Sequence, residues 1–212
     1  DQKKLIRNIV KSEDLDAKKF SPQLILYYID QWKNKGLLPN DVKLEKSNSI
    51  TKSILRVYDI YQKKTKDLNA FDFGDLILFC VKLFEENEDI KLIYKKNFKY
   101  ILVDEFQDTN FIQNKWLNLL VNEKQNICCV GDDDQSIYSW RGAEIKNFLT
   151  FDQIYKNCKV FKLEQNYRST KNILEAASTL ISNNSNRVGK KLWSSAIQGE
   201  AVKLNCYKTG KD

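Results

Sequence analysis

Apolar residues recur at helical spacing through the first hundred positions, and beyond Tyr100 they gather into short runs that stop abruptly in polar clusters. Leu24, Ile25, Tyr28 and Trp32 line one face of a predicted helix that reaches Gly36; Ser21-Pro22 before them supplies an N-cap and a proline at the first helical position. Ile54, Val57, Tyr58 and Tyr61 mark a second helix over Ile50 to Leu68, with lysines on its other side. Asp72 is placed to cap a third. In that helix Asp75 sits near the positive end of the dipole, and Leu76, Ile77, Phe79, Cys80, Leu83 and Phe84 are apolar. No strand is predicted in this part.

After Tyr100 the pattern is that of α/β organisation. Ile101 to Val103 and Ile127 to Val130 read as parallel strands buried on both faces, with Asp104-Glu105 and Gly131-Asp132 at their C-terminal ends. Open α/β sheets carry their sites at those ends. Val160 to Leu163 is a third candidate strand. Ser169 or Thr170 then caps a helix carrying Ile173, Leu174, Ala177, Leu180 and Ile181. Ser182 to Lys191 reads as a loop, and the alternation of Val202, Leu204 and Cys206 predicts a last strand.

Composition narrows the chemistry. The 212 residues, 42% hydrophobic, suffice for one large domain or parts of two. No apolar run approaches the roughly 20 residues that cross a bilayer, so no membrane partner is expected. No signal peptide is readable in the first residues, and the lack of any Met leads us to expect an interior piece of a longer protein. The five cysteines form no Cys-x-x-Cys pair and there is no His, so a zinc site and a histidine-dependent triad are excluded within the chain. Reduced, mostly buried cysteines in a cytoplasmic protein are the simplest expectation. General-base work falls to carboxylates. The net charge of +7 is compatible with a polyanionic partner, and equally with lysine-rich solvated faces.

Asp104-Glu105 after an apolar strand is what a magnesium nucleotide site needs: one carboxylate to hold a hydrated cation, another to orient and deprotonate water. An acidic turn capping the next helix has the same local sequence. The wider context is Asp104-Glu105-Phe106-Gln107-Asp108-Thr109-Asn110, then Gly131-Asp132-Asp133-Asp134-Gln135-Ser136-Ile137-Tyr138-Ser139-Trp140-Arg141-Gly142-Ala143, then Leu163-Glu164-Gln165-Asn166-Tyr167-Arg168-Ser169-Thr170. In order and spacing these blocks resemble the second, third and fourth signature motifs of superfamily 1 helicases of the UvrD/PcrA/Rep type. The resemblance extends to Phe71-Asp72-Phe73-Gly74-Asp75-Leu76 and covers effectively the whole chain.

The resemblance implies an α/β fold in which a helical accessory subdomain (residues 1–98) is followed by partial RecA-like parallel-sheet domains: the C-terminal half of the first (99–164) and the start of the second (165–212). It implies ATP and Mg²⁺ as cofactors. Asp104 would ligate the metal, Glu105 would be the general base, and Gln135 would sense the γ-phosphate. Tyr167 would stack on adenine and Arg168 would act as an arginine finger. Trp140, with Tyr138 and Arg141 adjoining, would stack on single-stranded DNA, a contact that tolerates any base. Lys3, Lys4, Lys18, Lys19, Lys33, Lys35, Lys63 and Lys64 are available either for phosphates or for a solvated surface. The expected parent is an ATP-dependent 3′-to-5′ DNA helicase of repair or replication, cytoplasmic and nucleoid-associated. Its partners would be single-stranded DNA, single-strand/duplex junctions and repair proteins. A helicase-nuclease subunit and a non-catalytic DNA-binding module are the alternatives. No Gly-x-x-x-x-Gly-Lys-Ser/Thr occurs, so these residues alone are expected not to hydrolyse ATP.

Overall fold

The computed structural model describes residues 1–44, 49–155, 157–185 and 187–207. Two units emerge, Asp1–Phe148 and Leu149–Asp212. The first begins with five helices: α1 (Gln2–Ser12), α2 (Pro22–Asn34), α3 (Ser49–Asp67), α4 (Phe73–Glu86) and α5 (Glu88–Asn97). Then come β1 (Ile101–Val103), α6 (Phe111–Leu120) and β2 (Ile127–Cys129). The short α7 (Ile145–Leu149) runs across the boundary.

Local signals set the helix starts. The Ser21 hydroxyl accepts from Leu24 N at 3.3 Å with Pro22 behind it. Asp72 and Asp75 form a reciprocal capping box on α4, with backbone-to-carboxylate bonds of 2.9 and 3.1 Å. The apolar faces of α1, α2 and α3 meet in a core of Ile6, Ile9, Val10, Ile25, Ile29, Trp32, Ile54, Val57 and Tyr58. Each fully buried aliphatic side chain in it contributes about 1.5–3 kcal/mol. Leu78 and Val81 of α4 pack separately against Ile112 of α6.

One lysine departs from expectation. Lys33, grouped with the surface lysines, is 1% exposed, and its ammonium lies 2.6 Å from Asp72 Oδ2 and 2.7 Å from Asp75 Oδ1. The last turn of α2 faces the capped end of α4, so the stem is enclosed and the charge must be paired. The Tyr61 hydroxyl donates to Asp72 at 2.9 Å and the Gln62 amide to Asp75 at 2.7 Å. Lys33 also lies 5.3 Å from the Tyr61 ring centroid and 5.8 Å from that of Tyr58. Burial, and then the aspartate charges, push both phenols above their ordinary range, so they remain donors.

β1 and β2 pair in parallel, with Ile101 opposite Ile127 and Val103 opposite Cys129. The mixed α/β class is as expected; complete burial of these strands is not. Leu102 is 79% exposed and Cys128 is also exposed, because only one face of the two-stranded sheet is covered. The cysteines are likewise more open than expected: Cys80, Cys128 and Cys206 are exposed, and Cys129 and Cys158 are half-buried. Cys80 lies on α4 opposite the Leu78 and Val81 contacts, and Cys128 lies on the uncovered sheet face.

The second unit holds α8 (Phe151–Ile154) and α9 (Lys171–Ile181). Thr170 occupies the N-cap position of α9, without a side-chain capping bond. Neither Val160 to Leu163 nor Val202 to Cys206 forms a strand. Their alternation is present, but among the described residues no ladder partner lies beside them. In this unit, strand pairing among the described residues is confined to an isolated parallel bridge between Gln165 and Trp193. The described part of Ser182 to Lys191 carries no helix or strand; Asn186 and residues after 207, within the expected loop and C-terminal region, lie outside the described residues.

Candidate functional site

Asp104 and Glu105 are exposed where β1 ends. Glu105 adopts a left-handed backbone conformation (φ 50°, ψ 41°), costing a non-glycine residue about 1–2 kcal/mol. The strain turns the chain sharply, with Glu105 N donating to Asp104 Oδ1 at 2.9 Å. Phe106 N then returns to Val130 O at 3.0 Å. The turn is anchored below by the Phe106 ring, buried and 6.5 Å from that of Phe148. Strain held at a carboxylate in this way marks a position where geometry matters more than local stability.

Gln107, a motif residue whose side-chain type alone points to no catalytic part, joins the two strand ends. It is 1% exposed. Its Nε2 donates to Glu105 Oε2 at 2.7 Å, and its Oε1 accepts from Asp132 N at 2.9 Å. Gly131 makes room for it, since a Cβ there would stand 2.6 Å from Gln107 Oε1 and 2.8 Å from the Phe148 ring. Asp132 in turn accepts from Gln135 Nε2 at 2.7 Å and from Asp134 N at 3.0 Å. Glu105 and Gln135 are therefore linked through Gln107 and Asp132. The one hint in the sequence is a polar residue two places after Glu105 in a cluster that must turn back onto the sheet.

Among the described residues neither Asp104 nor Glu105 is ion-paired with a protein cation, and each keeps one oxygen that accepts no hydrogen bond from the protein. Exposed carboxylate oxygens without a cationic neighbour fit a hard, hydrated divalent ion. Among the described residues, the group of three carboxylates whose ligand atoms lie within 4.8 Å of one another is instead Asp132, Asp133 and Asp134, which does not include Asp104.

Five residues past Gln135 the chain presents aromatic surface. Trp140 is 70% exposed, its ring 6.4 Å from that of Tyr138, and the Arg141 guanidinium lies 5.5 Å from the Tyr138 centroid and 5.7 Å from that of Trp140. The short 3₁₀ turn Ser139–Arg141 ends at Gly142, whose φ of 92° suits glycine. Ala143 pairs back onto Asn110, and Glu144 N donates to Thr109 O at 3.0 Å. The aromatic turn is thus fastened to the segment that follows the carboxylates.

Tyr167 and Arg168 belong to the second unit. The Tyr167 ring is 83% exposed, its hydroxyl donating to Gln165 Oε1 at 2.7 Å. The Asn166 carboxamide accepts from the amides of Arg168 and Ser169 at 2.9 and 2.8 Å, fixing an Asx turn under the pair.

Residues 1–156 match the family model described as the UvrD/REP helicase N-terminal domain, and residues 161–212 that of the UvrD-like helicase C-terminal domain. The chain belongs to the UvrD-like helicase family. A protein named probable DNA helicase II homolog, from Rickettsia conorii, is 48% identical over 209 residues, 98% of this chain and 32% of the relative. The ATP-dependent DNA helicase PcrA of Staphylococcus epidermidis is 42% identical over 212 residues, 100% of this chain and 29% of the relative. That of Staphylococcus aureus is 43% identical over 202 residues, 95% of this chain and 28% of the relative. The chain spans about a third of the length of these relatives. No helix among its described residues is long and apolar enough to cross a membrane.

Proposed function

We propose that this UvrD-like chain carries the water-activating and DNA-stacking parts of an ATP-dependent DNA helicase. The observation that carries the reading is the hydrogen-bonded connection from Glu105 through Gln107 and Asp132 to Gln135, which continues within a few residues into the half-buried Tyr138 and the exposed Trp140 and Arg141. Asp104 offers an oxygen to Mg²⁺. Glu105, held by Gln107, takes a proton from water. Gln135 presents an amide on the same hydrogen-bonded run. Tyr167 is assigned to adenine stacking and Arg168 to a phosphate contact. When bound, Mg-ATP supplies the phosphoanhydride whose cleavage drives movement. Trp140 and Tyr138 offer ring faces to bases of any identity, as a translocating protein requires, and Arg141 adds charge for the backbone.

The domain assignment follows the same reading: an accessory region over 1–98, the later half of a first RecA-like domain over 99–164 and the beginning of a second over 165–212. The parent is a 3′-to-5′ translocase on single-stranded DNA and at single-strand/duplex junctions. It works in repair or replication alongside repair proteins, in the cytoplasm at the nucleoid.

The test is single-stranded-DNA-stimulated ATP hydrolysis by the protein extended to the full length of its relatives. Glu105→Gln is expected to lower turnover by about 10²-fold or more, while a fluorescent nucleotide analogue still binds. Wild-type protein whose hydrolysis is indifferent to DNA would overturn the proposal.

A further inference from the structure

Asn34, the last residue of α2, takes no part in the motifs that identify the family. Its carboxamide nonetheless uses both ends on the functional segments: Nδ2 donates to Arg141 O at 3.2 Å, and Oδ1 accepts from Asn110 Nδ2 at 3.0 Å. Asn110 caps α6 and is paired with Ala143. Gly142 lies directly against the same amide, since a Cβ there would stand 3.1 Å from Asn34 Nδ2. One side chain therefore touches the segment leaving the carboxylate turn and the turn bearing Trp140.

The position of Asn34 is itself fixed. Its neighbour Lys33 is clamped by Asp72 and Asp75 in the buried ion cluster, so the end of α2 has little freedom to shift. An amide suits this place because it donates and accepts at once. A carboxylate would keep the bond from Asn110 but turn an oxygen lone pair toward the Arg141 carbonyl. An aliphatic side chain would lose both bonds.

We infer that Asn34 is a positioning residue for single-stranded-DNA binding, holding the Tyr138-Trp140-Arg141 turn in register with the Asp104-Glu105 segment. The DNA part of this inference rests on the function proposed above; the structural part does not. Asn34 acts through the backbone of Arg141, without touching the nucleic acid.

The experiment uses the 212-residue chain as wild type, Asn34→Ala and Asn34→Asp. Amide hydrogen exchange over 138–144 reports on the turn, where Arg141 N and Ala143 N bond Tyr138 O and Gly142 N bonds Ser139 O. Both variants are expected to speed exchange there about 3- to 10-fold, the effect of losing the bond to Arg141 O that both substitutions remove, while α3 and α4 exchange as in wild type. Unchanged exchange over 138–144 overturns the inference. So does faster exchange spread equally through α3 and α4, which marks general loosening.

Fluorescence anisotropy with a labelled oligo-dT supplies the second readout. Asn34→Ala is expected to bind about 3- to 10-fold more weakly than wild type. Tight wild-type binding with an unaltered variant overturns the role of Asn34 alone, whereas a well-folded wild-type chain that ignores oligo-dT overturns the stacking function it rests on.

Discussion

Replacing Lys33 by Met isolates the buried ion cluster. The change keeps an unbranched stem of similar length and removes, among the described residues, the only cation within 4 Å of two carboxylates whose side chains are 4% and 0% exposed. What remains hydrogen-bonded to Asp72 and Asp75 is the Tyr61 hydroxyl, the Gln62 amide and their own capping N–H groups, all neutral, and the nearby Asp30 carboxylate adds repulsion to Asp72. Breaking a buried pair from one side costs about 3–5 kcal/mol. For a chain of this size that is a fall of about 6–20 °C in melting temperature. Urea unfolding followed by tryptophan emission is a suitable assay, because Trp32 stacks on Tyr58 at 5.6 Å beside the lysine.

The pH dependence gives the same prediction a sign. Burial raises the Asp72 pKa, but the Lys33 charge and hydrogen bonds outweigh it, and the group is held below its ordinary value of 3.8. In wild type its contribution is present above that value and lost as the pH falls through the lower folded pKa. Without Lys33 the main opposing influence on Asp72 is gone and burial, which raises its pKa, prevails, so the variant loses stability as the pH rises. The gap between the two proteins should be widest near pH 7 and narrow toward pH 4. A gap under about 1 kcal/mol at pH 7, in the range of an exposed ion pair, or one that widens on acidification, would refute the reasoning.

Two further outcomes follow from the site. Gly131→Ala forces a methyl group against Gln107 Oε1 and the Phe148 ring and should destabilise the first unit by about 1–3 kcal/mol; an unchanged urea midpoint would show that the contact yields freely. Trp140→Ala should weaken oligo-dT binding by about 1–3 kcal/mol at fixed salt, with little change in urea midpoint because the ring is 70% exposed; loss of fold with unchanged DNA affinity would make Trp140 a structural anchor instead.

The helices could be read because their signals are local. Ser21-Pro22 and the Asp72 to Asp75 box each act within one turn of chain, and the structure uses both as caps. β1 and β2 were equally plain, as apolar runs ending in acidic clusters. Val160 to Leu163 and Val202 to Cys206 carry the same kind of alternation, but a strand also needs a neighbour to share its hydrogen bonds, and alternation says nothing of where that neighbour lies. The same limit hid the burial of Lys33, whose partners lie 39 and 42 positions further along the chain. Asn34 was hidden for this reason too: Arg141 is 107 positions away. In the motifs themselves Glu105 and Trp140 stood out by residue type, whereas Gln107 shows its bridging part only once both strand ends are in view.

Lys33 and Asn34 are consecutive on α2 and so project about 100° apart around its axis. One points into the charged interior; the other reaches the turn that carries Trp140. Inserting or deleting a single residue between Pro22 and Trp32 would change the phase of the helix beyond it by that angle. The ammonium would swing off its carboxylates and the amide off its two partners in one step. Helix length in α2 is therefore fixed twice over, and only substitution, never a change of length, can alter one of these two attachments while sparing the other.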